Sequence, residues 1–557
     1  MAYDIVSTGW FWFAFVAYLI LLAIIGYISH RKTKTIIDFL VASRGIGTVL
    51  MGMSYGVTYF SAVLLVGCPG LTWLLGEQWL WVSFMNTVFG TFVAFLLLGN
   101  RARKMSKKLG ALTLPELIAE RYQDDKYIRP TAGLVIAIFQ TIYLVSIFLG
   151  LSTLLQVLFP GVPYAFQIAV ILCGAITCIY LIIGGAHSAI MSDLIESIIM
   201  LIGVLGITIG GIIYVGGINN LNANILADIA NNVANGIPEP YGSDPGAWFI
   251  FPNIMSMSMI GMAFVTTFGA WGSPQMATRF FTSKDRKSLR YGMVLACIWV
   301  SIVSFCSWFN GAIGRGLSPT STQDLLNWVA SIGGDTSKWR EYVMPWILAD
   351  QNILPLAFTA LFLAAVTAAS LTTGEKIIIV ASSAITRDFY QKGIAKNKDV
   401  SDEKTLLLTR IAIVVIVIIA IILAFIRPAF ILDLCMFSWA SLNAFTLIPF
   451  VAGLFWKGGT KRAAFYSGIA AMITAIVWFF CFNPKLTVPG LPLLPEIGNI
   501  VLVAEPIKIT INSIHEFLVS QAVAIPVFFI ISIIDKKKPD KQFLDDLFEY
   551  IKEDTNE

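Results

Sequence analysis

Gly56-Val57-Thr58-Tyr59-Phe60-Ser61-Ala62, followed closely by Gly67-Cys68-Pro69-Gly70, interrupts an apolar run that extends from 46 to 75. A second run, 248–276, is broken in the same manner by Thr266-Thr267-Phe268-Gly269-Ala270-Trp271-Gly272-Ser273-Pro274-Gln275. Gly and Pro free backbone N–H and C=O groups that hydrocarbon cannot solvate, so such breaks persist where protein, water or an ion takes them up. One broken run reads equally well as a packing glycine and a Pro kink. Two of them, in runs two and seven, carry more weight. Five is odd, so the second set of five spans enters the membrane inverted relative to the first. Paired broken helices in inverted repeats point to a secondary transporter with its site near mid-membrane.

The surrounding composition demands a membrane. Of 557 residues, 57% are hydrophobic and 13% charged, about half the charge of a soluble domain. Apolar runs of bilayer length fall at 8–29, 46–75, 77–98, 130–158, 163–185, 188–216, 248–276, 290–314, 354–385, 405–426, 429–455, 463–482 and 509–534. The expected fold is therefore an all-α polytopic membrane protein of about 13 transmembrane helices with a 5+5 inverted repeat. Its parts are an outlying helix (1–45), a first five-helix repeat (46–216), an external loop (217–247), a second repeat (248–456), and two C-terminal helices with a short tail (457–557). The first run lacks a basic n-region and a small-residue cleavage site and reads as a retained helix. The seven Cys sit nearly all in apolar runs and read as small buried residues rather than a disulfide framework.

Basic residues set the orientation. With the N-terminus outside, 31 of the 38 Lys and Arg fall on the inner side and six on the outer, and only Lys376 lies within a span. The C-terminus is then cytoplasmic, and the expected location is the cell membrane. A net charge of +4 is too mild to suggest a nucleic-acid partner. The chain has no Gly-Lys dipeptide and hence no Walker A loop, and His30, His187 and His515 form no H-E-x-x-H frame. An ATP-driven pump, an intramembrane metalloprotease and a haem protein are disfavoured; no enzyme and no organic cofactor are expected.

In the ninth run, Ala368-Ala369-Ser370-Leu371-Thr372-Thr373-Gly374-Glu375-Lys376 places adjacent hydroxyls on an otherwise apolar helix. With carbonyls from a broken helix opposite, they make an all-oxygen shell that suits Na⁺ better than Mg²⁺, which keeps its waters and wants carboxylates. The competing reading is that each Thr bonds back to its own helix.

The chain resembles the sodium:solute symporter family over nearly its whole length. The likeness rests on Asp38-Phe-Leu-Val-Ala-Ser-Arg44, Thr113-Leu-Pro-Glu116 with Arg121-Tyr122, Gly184-Gly185 with Ser192-Asp193, Gly272-Ser-Pro-Gln-Met-Ala-Thr-Arg279, Ala381-Ser-Ser-Ala-Ile-Thr-Arg-Asp388 and Gly453-Leu-Phe-Trp-Lys457. Within it, Thr58-Tyr59-x-Ser61-Ala62 followed by Gly67-x-Pro69-Gly70 resembles the pantothenate-permease branch most. The resemblance implies a LeuT-type fold and Na⁺ held by carbonyls of Val57, Phe60 and Ala369 and hydroxyls of Thr372 and Thr373, with Ser61 as a further contact. It implies a solute beside the same breaks, against Ser61, Ala62, Val63, Ser83, Asn86, Thr266, Thr267, Ala270 and Trp271, with Gln140 and Tyr143 nearby. Gln140 and Tyr143 also read as ordinary helix–helix glue.

Val63 and Ser83 leave too few polar partners for a hexose. Thr266 and Ala270 stand where the proline branch of the family carries aromatics, which disfavours proline. A small carboxylate, amino acid or pantothenate-like solute is expected, imported by sodium-coupled symport. The alternatives are a passive channel, a transporter-like sensor, or a proton-coupled symporter; a tail of about twenty residues after Lys538 is short for a sensor's output domain. Glu375 and Lys376 fall on the same helix face as Thr372, and charges at membrane depth invite a functional reading. Where family members hold a second sodium, the resemblance implies a site at Asp193 and the positions of Glu375 and Lys376. Lys376 is then expected to stand as a tethered cation there, neutralised by Asp193 and Glu375 with Glu196 one turn on. The competing reading has both charges snorkelling toward a vestibule. The sequence leaves the oligomeric state open.

Overall fold

The computed structural model describes residues 44–552 except 159–161, 163, 241–244, 250–256, 350–355, 396–401, 485, 487–490 and 504–508, together with positions 13, 17, 20 and 24. Among them, nine helices are long and apolar enough to cross a bilayer, or ten with one bent pair. The bent pair is α1 (Thr48–Tyr59) with α2 (Pro69–Leu75, preceded by a π-helical turn Val63–Gly67), turned by 48° at the break. The chain continues through α3 (Glu77–Leu109), α4 (Ile128–Leu158), α5 (Ala165–Tyr214), α6 (Met257–Gly272), α7 (Pro274–Thr282) and α8 (Arg286–Arg315). After α8 come α9 (Leu356–Ser383), α10 (Asp402–Ile426), α11 (Ile431–Phe455), α12 (Lys461–Phe482), α13 (Glu516–Ile534) and an amphipathic α14 (Lys541–Lys552).

The expected thirteen spans differ from this count for local reasons. The run 8–29 lies outside the described residues apart from four positions. Run seven divides at Ser273, and the described part of its first half, α6, has 16 residues, about 24 Å at 1.5 Å per residue, so it is not counted among the helices of bilayer length. Runs five and six are joined in the single element α5. At its beginning, Phe166 lies under the Arg427 guanidinium at 3.7 Å, and near its end Gly211 abuts Ile313 beside Arg315. Both contacts belong to one end of the bundle: Trp73 packs on Gly314 and on Trp339, and Arg340 covers Phe430. A straight helix of that length would reach about 75 Å, so α5 doubles back and crosses twice.

Two expected loops fold further than the sequence suggested. The charged stretch after 98 continues α3 to Leu109, where Gly110 turns the chain at φ +70°. The stretch 217–247 contains the helix Ile218–Ala234, whose Leu221, Ile225 and Ile229 pack on Ile313 and Trp248. The last span begins at Glu516, capped by the His515 ring, rather than at 509; before it a two-stranded ribbon pairs Val501–Val503 with Ile509–Thr510.

Burial orders the bundle. The most apolar windows of α9 and α11 are 94% and 89% buried, against 28% in α12 and 33% in α10 and α13. The inner helices carry the polar residues and the outer ones face lipid. Close approach needs small residues: Gly56 of α1 lies flat on the Trp299 ring, where a Cβ would stand 2.5 Å from Cε3.

Candidate functional site: a broken helix facing a hydroxyl pair

The break in α1/α2 follows from its sequence. Phe60 adopts extended torsions (φ −121°, ψ 136°), so its carbonyl leaves the helix ladder, and Ser61 restarts the turn by accepting from Val63 N at 3.2 Å. The freed Phe60 carbonyl points at α9. Thr373 Oγ1 donates to it at 3.3 Å, and Thr372 Oγ1 donates to Ala369 O at 3.4 Å. Thr373 Oγ1 thus meets Phe60 O across the two helices, while Thr372 Oγ1 meets Ala369 O on its own helix; all four residues are buried, with Val57 one turn back on α1. The Thr372 bond is the back-bond expected of a mid-helix threonine, whereas Thr373 reaches across to another helix. Among the described residues, no group of three or more His, Cys, Asp or Glu is placed to hold a metal ion. The oxygens available to a cation are hydroxyls and carbonyls.

Beside the break lies a cavity of about 40 Å³ whose lining includes Tyr59, Ser61, Val63, Asn86, Tyr143, Thr266 and Trp439. Tyr143 OH donates to Ser61 Oγ at 3.3 Å; Tyr59 OH donates to Thr266 O at 2.7 Å; Thr267 Oγ1 donates to Asn86 Oδ1 at 3.1 Å. Tyr59 and Trp439 stack nearly parallel, and Tyr143 meets Trp439 edge-on. Five of the expected solute positions therefore meet at the cavity, and Thr267 supports it through Asn86. The others lie elsewhere. Gln140 donates to Gln275 at 2.5 Å, Trp271 Nε1 donates to Phe89 O at 2.9 Å, and Ser83 lines a separate groove. Ala62 packs on Gly150, and Ala270 is buried in α6. Sequence reasoning missed Tyr59 and Trp439 as lining residues; the polar string Ser438-Trp439-Ala440-Ser441-Leu442-Asn443 in an enclosed span was the available signal.

Lys376 forms an ion pair with Asp193, which also accepts from Ser54 Oγ. All three are buried, and Glu196, Glu375 and Arg279 lie within electrostatic reach. Snorkelling to water is thus ruled out for Lys376 by its 2% exposure. One carboxylate, that of Asp193, ties α1, α5 and α9 together.

Ion networks close both ends of the bundle. At one, Arg315 donates to Asp228 at 3.0 Å and to Trp73 O at 2.8 Å, and pairs with Glu239. Burial pushes the Asp228 carboxyl up, although Thr322 and Arg315 oppose this. At the other end, Arg129 donates to Asp388 at 2.8 Å and to Glu116 at 2.9 Å, with Thr113 on Asp388 at 3.1 Å. A cavity of about 40 Å³ holds a few waters and is too small for an organic solute in this conformation.

A model of the sodium:solute symporter family matches residues 39–471. The chain belongs to the sodium:solute symporter family. It is 25% identical over 491 residues to the osmoregulated proline transporter OpuE of Bacillus subtilis, covering 87% of this chain and 92% of that one. It is also 25% identical over 484 residues to a sodium/proline symporter of Staphylococcus aureus, covering 86% and 88%. A solved Na⁺-coupled sialic acid symporter in a substrate-bound outward-open state superposes with TM-score 0.69 at 16% identity, over 96% of this chain and 99% of that one. The fold is of the LeuT type, and this family member is a multi-pass, sodium-coupled membrane transporter of a small solute rather than an enzyme.

Proposed function

We propose that this symporter imports a small amino acid of proline's size, one Na⁺ per solute, across the cell membrane. The observation that carries the reading is the Thr373 hydroxyl facing the freed Phe60 carbonyl at 3.3 Å. In this reading Val57, Phe60, Ala369, Thr372 and Thr373 hold the ion, with Ser61 between ion and solute. Ser61, Val63, Asn86, Tyr143 and Thr266 contact the solute, and Tyr59 and Trp439 cover its apolar face. The expectation that proline is disfavoured rested on missing aromatics at Thr266 and Ala270. Trp439, Tyr59 and Tyr143 bring rings to the cavity from three directions, which removes that objection, and proline transporters among the relatives support it. Among the described residues no Arg or Lys lines the cavity, so a solute carboxylate would be held by hydroxyls and by the ion itself.

The same proposal takes 46–216 and 248–456 as the two inverted repeats, flanked by 1–45, 217–247 and 457–557, with the N-terminus outside and the Arg129 end in the cytoplasm. Lys376 is then a tethered cation between Asp193, Glu196 and Glu375, standing in place of a second inorganic ion. Closed networks at both ends favour alternating access over a passive channel. The test is uptake into proteoliposomes of radiolabelled proline, pantothenate and a panel of small acids, under an imposed Na⁺ gradient or a proton gradient alone. Accumulation of proline that needs the Na⁺ gradient is expected. Accumulation driven by protons alone, or mere equilibration, overturns the coupling; a preference for pantothenate overturns the solute assignment alone.

A further inference from the structure

Away from the transport cavity, a groove of about 1140 Å³ opens between the end of α3 and the start of α8, roofed by the C-terminus of α14. Its polar rim is strongly basic: Arg101 and Lys104 come from α3, Arg286, Lys287 and Arg290 from the first turns of α8, and Lys552 from α14. Among the described residues that line the groove, the one carboxylate is Asp285, which caps α8 and accepts from Ser288 N at 2.6 Å. Lys287 and Arg290 are exposed and make no ion pair among the described residues. Below the rim the wall turns apolar, with Phe95, Leu96, Leu97 and Met293. Leu96 is 63% and Leu97 41% exposed, which on a membrane helix means contact with lipid.

A basic rim above an apolar, bilayer-facing wall matches one molecule in shape and charge. We propose that this groove binds an anionic phospholipid, its phosphate among Arg286, Lys287 and Arg290 and an acyl chain along Leu96 and Leu97. Basic pockets between membrane helices hold anionic headgroups, each cation near the surface contributing in proportion to its charge. Guanidinium groups suit phosphate because their paired donors match its oxygens. A free anion would not need the apolar wall, and a zwitterionic lipid would not need the excess of cations. Lys104 Nζ also donates to Ile551 O at 3.2 Å, so the ligand lies against the joint between α3 and α14.

Native mass spectrometry of the full chain in detergent tests this, with dioleoyl phosphatidylglycerol, dioleoyl phosphatidylcholine and inorganic phosphate titrated separately. The wild type is expected to retain one phosphatidylglycerol with a preference of roughly tenfold or more over phosphatidylcholine. Lys287→Gln with Arg290→Gln should erase that preference, Leu96→Ser with Leu97→Ser should weaken both lipids, and Arg410→Gln, remote from the groove, should change neither. Equal retention of the two lipids by the wild type overturns the proposal. So does an unchanged preference in the Lys287/Arg290 variant, or competition by inorganic phosphate that abolishes lipid retention, which would mark a plain anion site.

Discussion

The two helix breaks look alike in sequence and behave differently in the fold. At the first, Ser61 O accepts from Leu64 N at 3.0 Å, but among the described residues the Phe60 carbonyl and the Ser61 hydroxyl meet longer contacts of 3.2–3.3 Å, from Thr373, Val63 and Tyr143. At the second, Gly272 O receives Thr446 Oγ1 at 2.8 Å, Ser273 Oγ donates to Gly269 O at 2.8 Å, and Ser273 O accepts from Ala277 N at 2.9 Å. The second break is tied to α11 by the Thr446 bond, with a longer one from Asn443 Nδ2 to Ser273 Oγ at 3.3 Å, and its other bonds run within α6 and α7. The first keeps oxygens that protein donors satisfy loosely, and a cation would satisfy them better. A break creates free backbone groups; the facing helix decides whether they become a ligand shell or a hinge.

The strongest way to test this contrast is to disturb the charge that fixes the half of the first helix before its break. Ser54 and Lys376 share Asp193, so Lys376→Met strands a carboxylate in a fully buried place. Removing one partner of a buried pair costs about 3–5 kcal/mol. A large fall in thermal stability is expected, recovered in part by Na⁺, and in part by adding Asp193→Asn. If Na⁺ restores nothing, and reversal potentials give two Na⁺ per solute in the wild type, the tethered-cation reading fails.

Next in size are the hydroxyls. Thr372→Ala and Thr373→Ala should each raise the Na⁺ concentration for half-maximal uptake about ten- to a hundredfold, since a hydrogen bond or ligand to a charged group contributes about 1.5–3 kcal/mol. Thr446→Val, at the second break, is the matched control. It removes one neutral hydrogen bond and should lower stability by about 0.5–1.5 kcal/mol while Na⁺ dependence stays put. A shift in Na⁺ dependence with Thr446→Val, and none with Thr373→Ala, would reverse the roles of the two breaks.

What the sequence disclosed follows from which signals are local. Gly-Pro breaks, apolar run lengths and the Thr372-Thr373 pair are written in adjacent residues, and they placed the bent helix and the hydroxyls. Family likeness added Phe60 and Ala369, which a carbonyl's anonymity hides from any reading of side chains. The cavity's aromatic cover left one trace, the polar string around Trp439, and was missed because Tyr59 and Trp439 are far apart in the chain and an aromatic in an apolar span looks like core. Gln140 and Trp271 were polar enough to seem functional, yet each found a partner in a neighbouring helix. The reversal within α5 was legible too: the sequence divides runs five and six between 185 and 188, within the single element Ala165–Tyr214.

The smallest expected effect concerns motion at the second break. Pro274 opens α7 at a position whose N–H would have no helix partner in any case, so Pro274→Ala leaves the ground-state hydrogen bonds nearly intact. What changes is the freedom of the joint. Pro fixes φ and keeps Ser273 extended, holding α6 and α7 as two bodies with one flexion point between them. Alanine lifts the restraint on φ and on Ser273 while the Thr446 bond holds the ground state, so the joint loses its fixed flexion point during the movement between states. Lid and domain motions of this kind commonly limit turnover, so solute exchange should slow several-fold while Na⁺ and solute affinities at equilibrium are preserved. Paired measurements of exchange flux and of binding in detergent separate the two. An altered affinity with unaltered flux would make the second break a binding element like the first, and the distinction drawn between them would collapse.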